Sequence, residues 1–411
     1  MNLRTIPLLA WIGIAIVLGI FAGPIVPQWL GNVFMTYNSI FSGLLNFVVP
    51  LIILGLVMPA IAELGRGAGK LLGIAGAIAY GSTILAGLLA FVVARWVFTP
   101  ALQGTKLSAL GEGGGSGLTP YFSVSSAPTG AATEIVLEPA ISVMSALILA
   151  IILGIGMTAI PKSTMLNVAL EFRTIVEGVI RAIIVPALPV FIFGIFLDLS
   201  RSGEAVKVLS TFLVVVITSL ALTLVVLLLQ YSIAGAVGKV NPLKALWGMR
   251  DAYATALGTS SSAATIPVTM ASAKKIGVSD SVAGFVIPLC ATIHLSGSMV
   301  KITCFSLAIL LLSGGDVSFG AYFPFLLMLG VMMVAAPGVP GGAIAAAAGL
   351  LVQMLGFGEV EVGLMFATYI ALDSFGTATN VTGDGAIALI MNKITKGRIA
   401  ARGDEEALAV S

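Results

Sequence analysis

Gly258-Thr259-Ser260-Ser261-Ser262-Ala263-Ala264-Thr265-Ile266-Pro267 and Ala335-Ala336-Pro337-Gly338-Val339-Pro340-Gly341-Gly342 are polar or helix-breaking runs set inside apolar sequence. Either run would break a bilayer-crossing helix in its middle. Backbone freed at that depth must be buried in protein or line a cavity, because lipid offers it no hydrogen-bond partner. The economical reading is a re-entrant hairpin over 245–277 and another over 321–356, each made of two short helices meeting at an unwound tip. A long apolar span follows each, at 280–312 and at 360–392. Hairpin–span, hairpin–span is the pattern of an internal repeat in secondary transporters, which hold their cargo near the midplane at the repeat interface.

Working outward, apolar stretches of spanning length lie near 6–27, 34–62, 71–98, 139–160, 166–199 and 206–236. The fold class is therefore an all-α polytopic membrane protein with eight transmembrane helices and two re-entrant hairpins. Composition agrees: 58% of the 411 residues are hydrophobic and only 9% are charged, with a mean hydropathy of +1.11. A net charge of +2 gives no clustered positive surface for nucleic acid. The 99–138 segment, with Gly-Glu-Gly-Gly-Gly-Ser-Gly at 111–117, reads as a flexible extramembrane loop. The glycines are not followed by Gly-Lys-Ser/Thr, so a phosphate loop is excluded. Cys290 and Cys304 and the single His294 offer no zinc spacing. The first span lacks a cleavage site and is read as retained. Lys and Arg concentrate on the side of Arg4, Arg66, Lys70, Lys162, Lys239, Lys244, Arg250, Lys274, Lys275, Lys393, Lys396, Arg398 and Arg402. The positive-inside bias then puts both termini in the cytoplasm, with the protein in the cytoplasmic (inner) membrane.

The last span carries Asp373, Thr377, Asn380 and Asp384. At about 100° per residue these four fall within a stripe about 60° wide. Charges at membrane depth are costly and usually functional. The helix holds no basic residue nearby, so a substrate ammonium and a metal ion or proton are the expected counter-charges. At the first tip, Ser260, Ser261, Ser262 and Thr265 set hydroxyls beside the free N–H groups of a half-helix, which suits a carboxylate. The second tip offers carbonyl oxygens for a small cation, and its glycines allow it to act as a gate.

These residues resemble the dicarboxylate/amino acid:cation symporter family, the glutamate-transporter homologues. The first tip ending Ala264-Thr265-Ile266-Pro267-Val268-Thr269, the second tip Gly338-Val339-Pro340-Gly341, and Asp373 through Asn380-Val381-Thr382-Gly383-Asp384 match its three signatures in order. The resemblance implies a homotrimer with inverted repeats that works as an elevator. Scaffold helices would occupy 1–70 and 139–236, and the transport domain 71–98 and 245–400. It implies that Asp373 binds a substrate amino group, that Asn380, Ser261 and Ser262 bind its carboxylate, and that Thr377, Ser298 and Gly338 line the pocket. Sodium would be held by Asn380 and Asp384, and again by carbonyls near Val334 and Ala336.

Two departures matter. Where members that take acidic substrates have an arginine, this chain has Gly376. A second carboxylate would lie there unpaired, at high cost, so a neutral amino acid is expected, in the pattern of serine/threonine symporters. The family's Asn-Met-Asp-Gly turn is replaced by His294-Leu295-Ser296-Gly297, leaving Ser82 and Thr83 as remnants of a third sodium site. His294 and Lys301, seven positions apart, are coupling candidates: a fixed positive charge in place of a lost cation, or a proton path that would make H+ the coupling ion. The bland reading has Lys301 snorkelling or paired with an acid and His294 capping the unwound turn. A membrane enzyme is disfavoured by the absence of a nucleophile–base constellation. A channel is disfavoured because acids beside carboxylate-binding hydroxyls fit an occluded zwitterion. Within carriers, a proton-coupled protein or an acidic amino acid or dicarboxylate symporter is the alternative.

Overall fold

The computed structural model describes residues 8–66, 70–102, 116–125, 133–160, 164–338 and 340–396, and they are mostly helical. The amino-terminal helices are α1 (Leu8–Ala22), α2 (Gln28–Arg66) and α3 (Lys70–Ala101). After them come α4 (Val143–Thr158), α5 (Thr164–Val179) and α6 (Val185–Arg201), the last two joined through a π-helical turn at Ile180–Ile184, and then α7 (Ala205–Gly238). Among the described residues, five helical stretches are long and apolar enough to cross a membrane: Gln28–Glu63, Leu71–Ala101, Thr164–Arg201, Ala205–Gly238 and Asp280–Ser313. Leu8–Ala22 and Val143–Thr158 are apolar but shorter, so the count of eight full-length spans does not follow from helix length.

The 99–138 expectation needs correcting in part. Ser123–Ser125 (β1) and Glu134–Val136 (β2) form a parallel pair. The chain leading into and through β1 is fastened along α2: Thr119 N–H donates to Asn32, Tyr121 N–H to Thr36 and Val124 N–H to Ser39. Gly43 leaves the space that Val124 fills. The polar positions of an otherwise apolar α2 thus form a strip of acceptors that composition did not reveal. Most of the glycine run 111–117 lies outside the described residues.

Both hairpins form as the breaks demand. Asn241 caps α8 (Pro242–Gly248), which leads into α9 (Arg250–Thr259). Ser260, at φ 48°, turns the chain, and Ser261 caps α10 (Ser262–Lys275). At the open end Lys275 Nζ lies 2.8 Å from Asp251. The second hairpin is α13 (Phe319–Ala335) and α14 (Gly342–Leu355), with Gly341 left-handed at φ 74° as the cap of α14. The intervening spans are broken too. α11 (Asp280–Ile293) ends at His294 and α12 (Ser296–Ser313) restarts after Leu295. α15 (Glu359–Ala371) and α16 (Asp373–Ile394) meet at Leu372.

α2 lies against α4, α5 and α6, and α1 against α6. α16 sits among α7, α9, α10, α11 and α12, while α3 lies along α12. The polar stripe of α16 is thereby wholly internal: Asp373, Thr377, Asn380 and Asp384 are all buried.

Candidate functional site

The two hairpin tips meet. Ser261 Oγ donates to Gly338 O at 2.8 Å while accepting from Ala264 N–H as the cap of α10. Across from them, Asp373 at the start of α16 accepts from Gly341 N–H at 2.8 Å. Between tips and helix lies a cavity of about 20 Å³ lined by Ser262, Ser298, Gly338, Asp373, Thr377 and Asn380, among others. That volume holds about one water. The tips must part before anything larger enters, and the bonds of Ser261 and Gly341 are what must break. Ser261→Ala removes both a cap and the bond between tips, together worth about 1–2 kcal/mol. Amide exchange at residues 262–265 is expected to speed up roughly tenfold, as read by hydrogen-exchange mass spectrometry.

Asn380 Oδ1 accepts from Gly297 N–H (2.8 Å) and Ser298 N–H (3.4 Å), and its Nδ2 donates to Ser298 Oγ at 3.2 Å. It therefore holds the free N–H groups of the restarted α12. Gly297 lets the helices touch, since a Cβ there would lie 2.5 Å from Gly376 O. Thr377 Oγ1 bonds back to Asp373 O, leaving its methyl for the pocket. Tyr369, which sequence reasoning missed, lines the cavity and donates its hydroxyl to Ser298 Oγ at 2.9 Å.

Each acid of α16 has a basic partner, which corrects the expectation that both need external cations. The partners come from the α11–α12 span, so α16 alone gave no sign of them. Lys301 is fully buried, with Nζ 3.6 Å from Asp373 Oδ1. The same ammonium donates to Leu372 O (3.0 Å) and Asp373 O (3.3 Å), and it lies 4.2 Å from the centre of the Tyr369 ring. It adds a charged donor to carbonyls at the first turn of α16, and Gly376 makes room for it: a Cβ there would meet Lys301 Cε at 2.2 Å. Of the earlier readings, pairing is right and snorkelling is not.

His294 ends α11, its N–H bonded to Cys290 O. Nδ1 lies 2.9 Å from Asp384 Oδ1 and Nε2 lies 3.1 Å from Ser82 Oγ. Gln230 joins them, its Nε2 2.9 Å from Ser82 Oγ and 3.1 Å from Ser296 Oγ. A lone amide in the apolar run of α7 was the signal that could have found it. Thr83 is not part of this cluster, because its hydroxyl bonds to Ala79 O in its own helix.

Val334 and Ala336 lie elsewhere, on a cavity of about 430 Å³ that also touches Leu289, Thr292 and Ile293. There the carboxyl ends of α11 and α13 converge, and the last carbonyls of each have no intrahelical partner and carry partial negative charge.

Residues 8–394 match the family model described as the sodium:dicarboxylate symporter family. The serine/threonine transporter SstT of Streptococcus agalactiae serotype III is 27% identical over 405 residues, covering 96% of this chain and 98% of that protein. An excitatory amino acid transporter of Caenorhabditis elegans is 27% identical over 62% of this chain. Excitatory amino acid transporter 3 of Mus musculus is 32% identical over 47% of it. The matches span only 51% and 36% of those two proteins' lengths. With two helical hairpins closing on the acidic stripe of a broken final helix pair, and a family match that runs through all of them, this chain belongs to the sodium:dicarboxylate symporter family, a family of transporters and not of enzymes.

Proposed function

We propose that the protein is a cation-coupled carrier of a small neutral amino acid such as serine or threonine. The observation that carries this is the pocket of Asp373, Asn380, Ser262 and Ser298, closed by both hairpin tips, in a chain with Gly376 at the position where an arginine would serve an acidic substrate. On entry the substrate ammonium takes the place of Gly341 N–H at Asp373. Its carboxylate meets the Ser261–Ser262 tip and the amide of Asn380. Similarity to SstT along nearly the whole chain supports this substrate class. The hairpins, α3, α11, α12 and α16 would move as one body against the remaining helices of a homotrimer in the cytoplasmic membrane, both termini on the cytoplasmic side.

Sodium is the coupling ion in this reading. The carbonyl ends near Val334 and Ala336 fit a small cation, since two negative helix ends point into one cavity, as at the broken helices of other carriers. The ion's contribution is positive charge that draws the two half-helix ends together, and so the second hairpin toward its closed position. At Asp384 a resident partner stands in this reading instead of sodium: Oδ1 faces a ring nitrogen of His294, and Asn380 Oδ1 is taken by two N–H groups.

One observation favours a second reading. Lys301 stands beside Gly376, where the family's arginine would begin, so an acidic substrate has a positive charge near it. Competition in proteoliposomes separates the two. Serine and threonine are expected to inhibit labelled-serine uptake at least about tenfold more strongly than aspartate, a difference of about 1.4 kcal/mol. Strong inhibition by aspartate with none by neutral amino acids overturns the first reading. Replacing external sodium at a fixed proton gradient is expected to abolish uptake; unchanged uptake rejects obligatory sodium coupling.

A further inference from the structure

His294 is enclosed, 1% exposed, and its seat is built from three elements. Asp384 and Gly383 of α16 lie on one side, with Ser82 of α3 and Gln230 of α7 on the others. A Cβ at position 383 would stand 2.7 Å from His294 Cε1 and 2.7 Å from Gln230 Oε1. The backbone of α16 thus leaves a space that the ring fills.

Hydrogen-bond distances assign the roles in that seat. The two hydrogens of Gln230 Nε2 go to Ser82 Oγ (2.9 Å) and Ser296 Oγ (3.1 Å), both closer than His294 Nε2 at 3.4 Å. The Ser82 hydroxyl is then free to donate to His294 Nε2, and Nδ1–H donates to Asp384 Oδ1. The donor chain runs from α7 through α3 to the α11–α12 break and ends on the carboxylate. Asp384 Oδ2 has no partner among the described groups although the residue is fully buried. The carboxylate therefore offers one oxygen to an imidazole N–H and keeps one in reserve. At Asp373 the same span supplies a second resident partner, Lys301.

We infer that His294 is the resident occupant of the position at Asp384 where the family resemblance implies sodium, so that Asp384 binds no sodium in this protein and removing the ring opens a sodium site there. This rests on the proposed transport function, but only for its meaning: a carrier built this way couples to fewer sodium ions than an ungated Asp384 would allow. The surplus oxygen, Oδ2, together with Ser82, Ser296 and Gln230 Oε1, is the ligand set that a sodium ion would find once the ring is gone.

The test uses purified full-length protein in nanodiscs. Thermal unfolding and radiolabelled sodium binding are titrated with sodium chloride, with choline chloride holding ionic strength. His294→Asn and His294→Ala are each expected to gain a sodium-specific stabilisation, the midpoint concentration falling at least tenfold relative to the unchanged protein. Adding Asp384→Asn to either variant is expected to remove that gain. In the unchanged protein, Asp384→Asn is expected to leave the sodium response in place. Loss of the sodium response in Asp384→Asn alone overturns the inference, as does a folded His294→Asn that gains none. If the histidine variants do not fold, the Asp384→Asn comparison still decides. A serine arm on the same plate keeps the functional reading separate. Serine that fails to stabilise any form counts against the substrate, while the sodium gain in His294→Asn stands or falls by itself.

Discussion

Asp373→Asn is expected to abolish uptake and to lower stability by about 3–5 kcal/mol, the usual cost of leaving one member of a buried ion pair without its partner. Lys301 would keep its two carbonyl acceptors at Leu372 and Asp373 but lose its counter-charge in a site that water does not reach. Lys301→Met alone is expected to be damaging from the other side, leaving Asp373 with the Gly341 N–H but no counter-charge. The double variant Asp373→Asn/Lys301→Met removes both charges and is expected to recover most of the stability, because no uncompensated ion remains. It is expected to stay inactive, since the group assigned to the substrate ammonium is gone. Thermal unfolding of the four forms gives the coupling energy as a double-mutant cycle, and proteoliposome uptake separates stability from transport. Additive losses would mean that the two side chains do not act as a pair.

Gly376→Arg is the second large effect. The new side chain would begin where Lys301 Cε and Nζ already lie, 2.2 and 2.3 Å from the added Cβ. Lysine is flexible, but here its ammonium is fully enclosed. Moving it costs its bonds, and leaving it places two positive charges in contact. The single variant is expected to lose serine binding and to destabilise the fold by more than about 2 kcal/mol. With Lys301→Ala, space and charge are both restored in exchanged form: one cation near Asp373, now carried by α16. The double variant is expected to fold, and its preference is expected to move toward aspartate, because a guanidinium can pair bidentately with a carboxylate. Inhibition constants for serine and aspartate across the single and double variants check this. A folded double variant that still prefers serine would show that position 376 does not set the substrate class.

Much of the architecture was legible because lipid enforces it. Backbone freed at Ser260–Ser261 and at Ala336–Gly341 has few places to go, so a break in an apolar run is readable before any contact is known. The stripe of Asp373, Thr377, Asn380 and Asp384 was legible for the same local reason, helical spacing on one face. The partners were not. Lys301 and Gly376 are distant in sequence and meet only because Gly297 lets α12 and α16 cross closely. His294, Ser82 and Gln230 come from three separate elements, and nothing in the spacing of any of them points to the others. Tyr369 read as one more apolar-span aromatic until its hydroxyl was placed on Ser298. Periodicity reports which face is polar; which charge answers which is a property of the packing.

The strip of bonds that fastens residues 117–124 to α2 has a mechanical consequence. Ser116 Oγ also donates to Asp198 of α6. One short segment thus ties α2 and α6 into a single unit. In the proposed motion of the hairpins this segment stays behind with α2 and α6, so a cross-link between Tyr121 and α2 is expected to leave uptake unchanged.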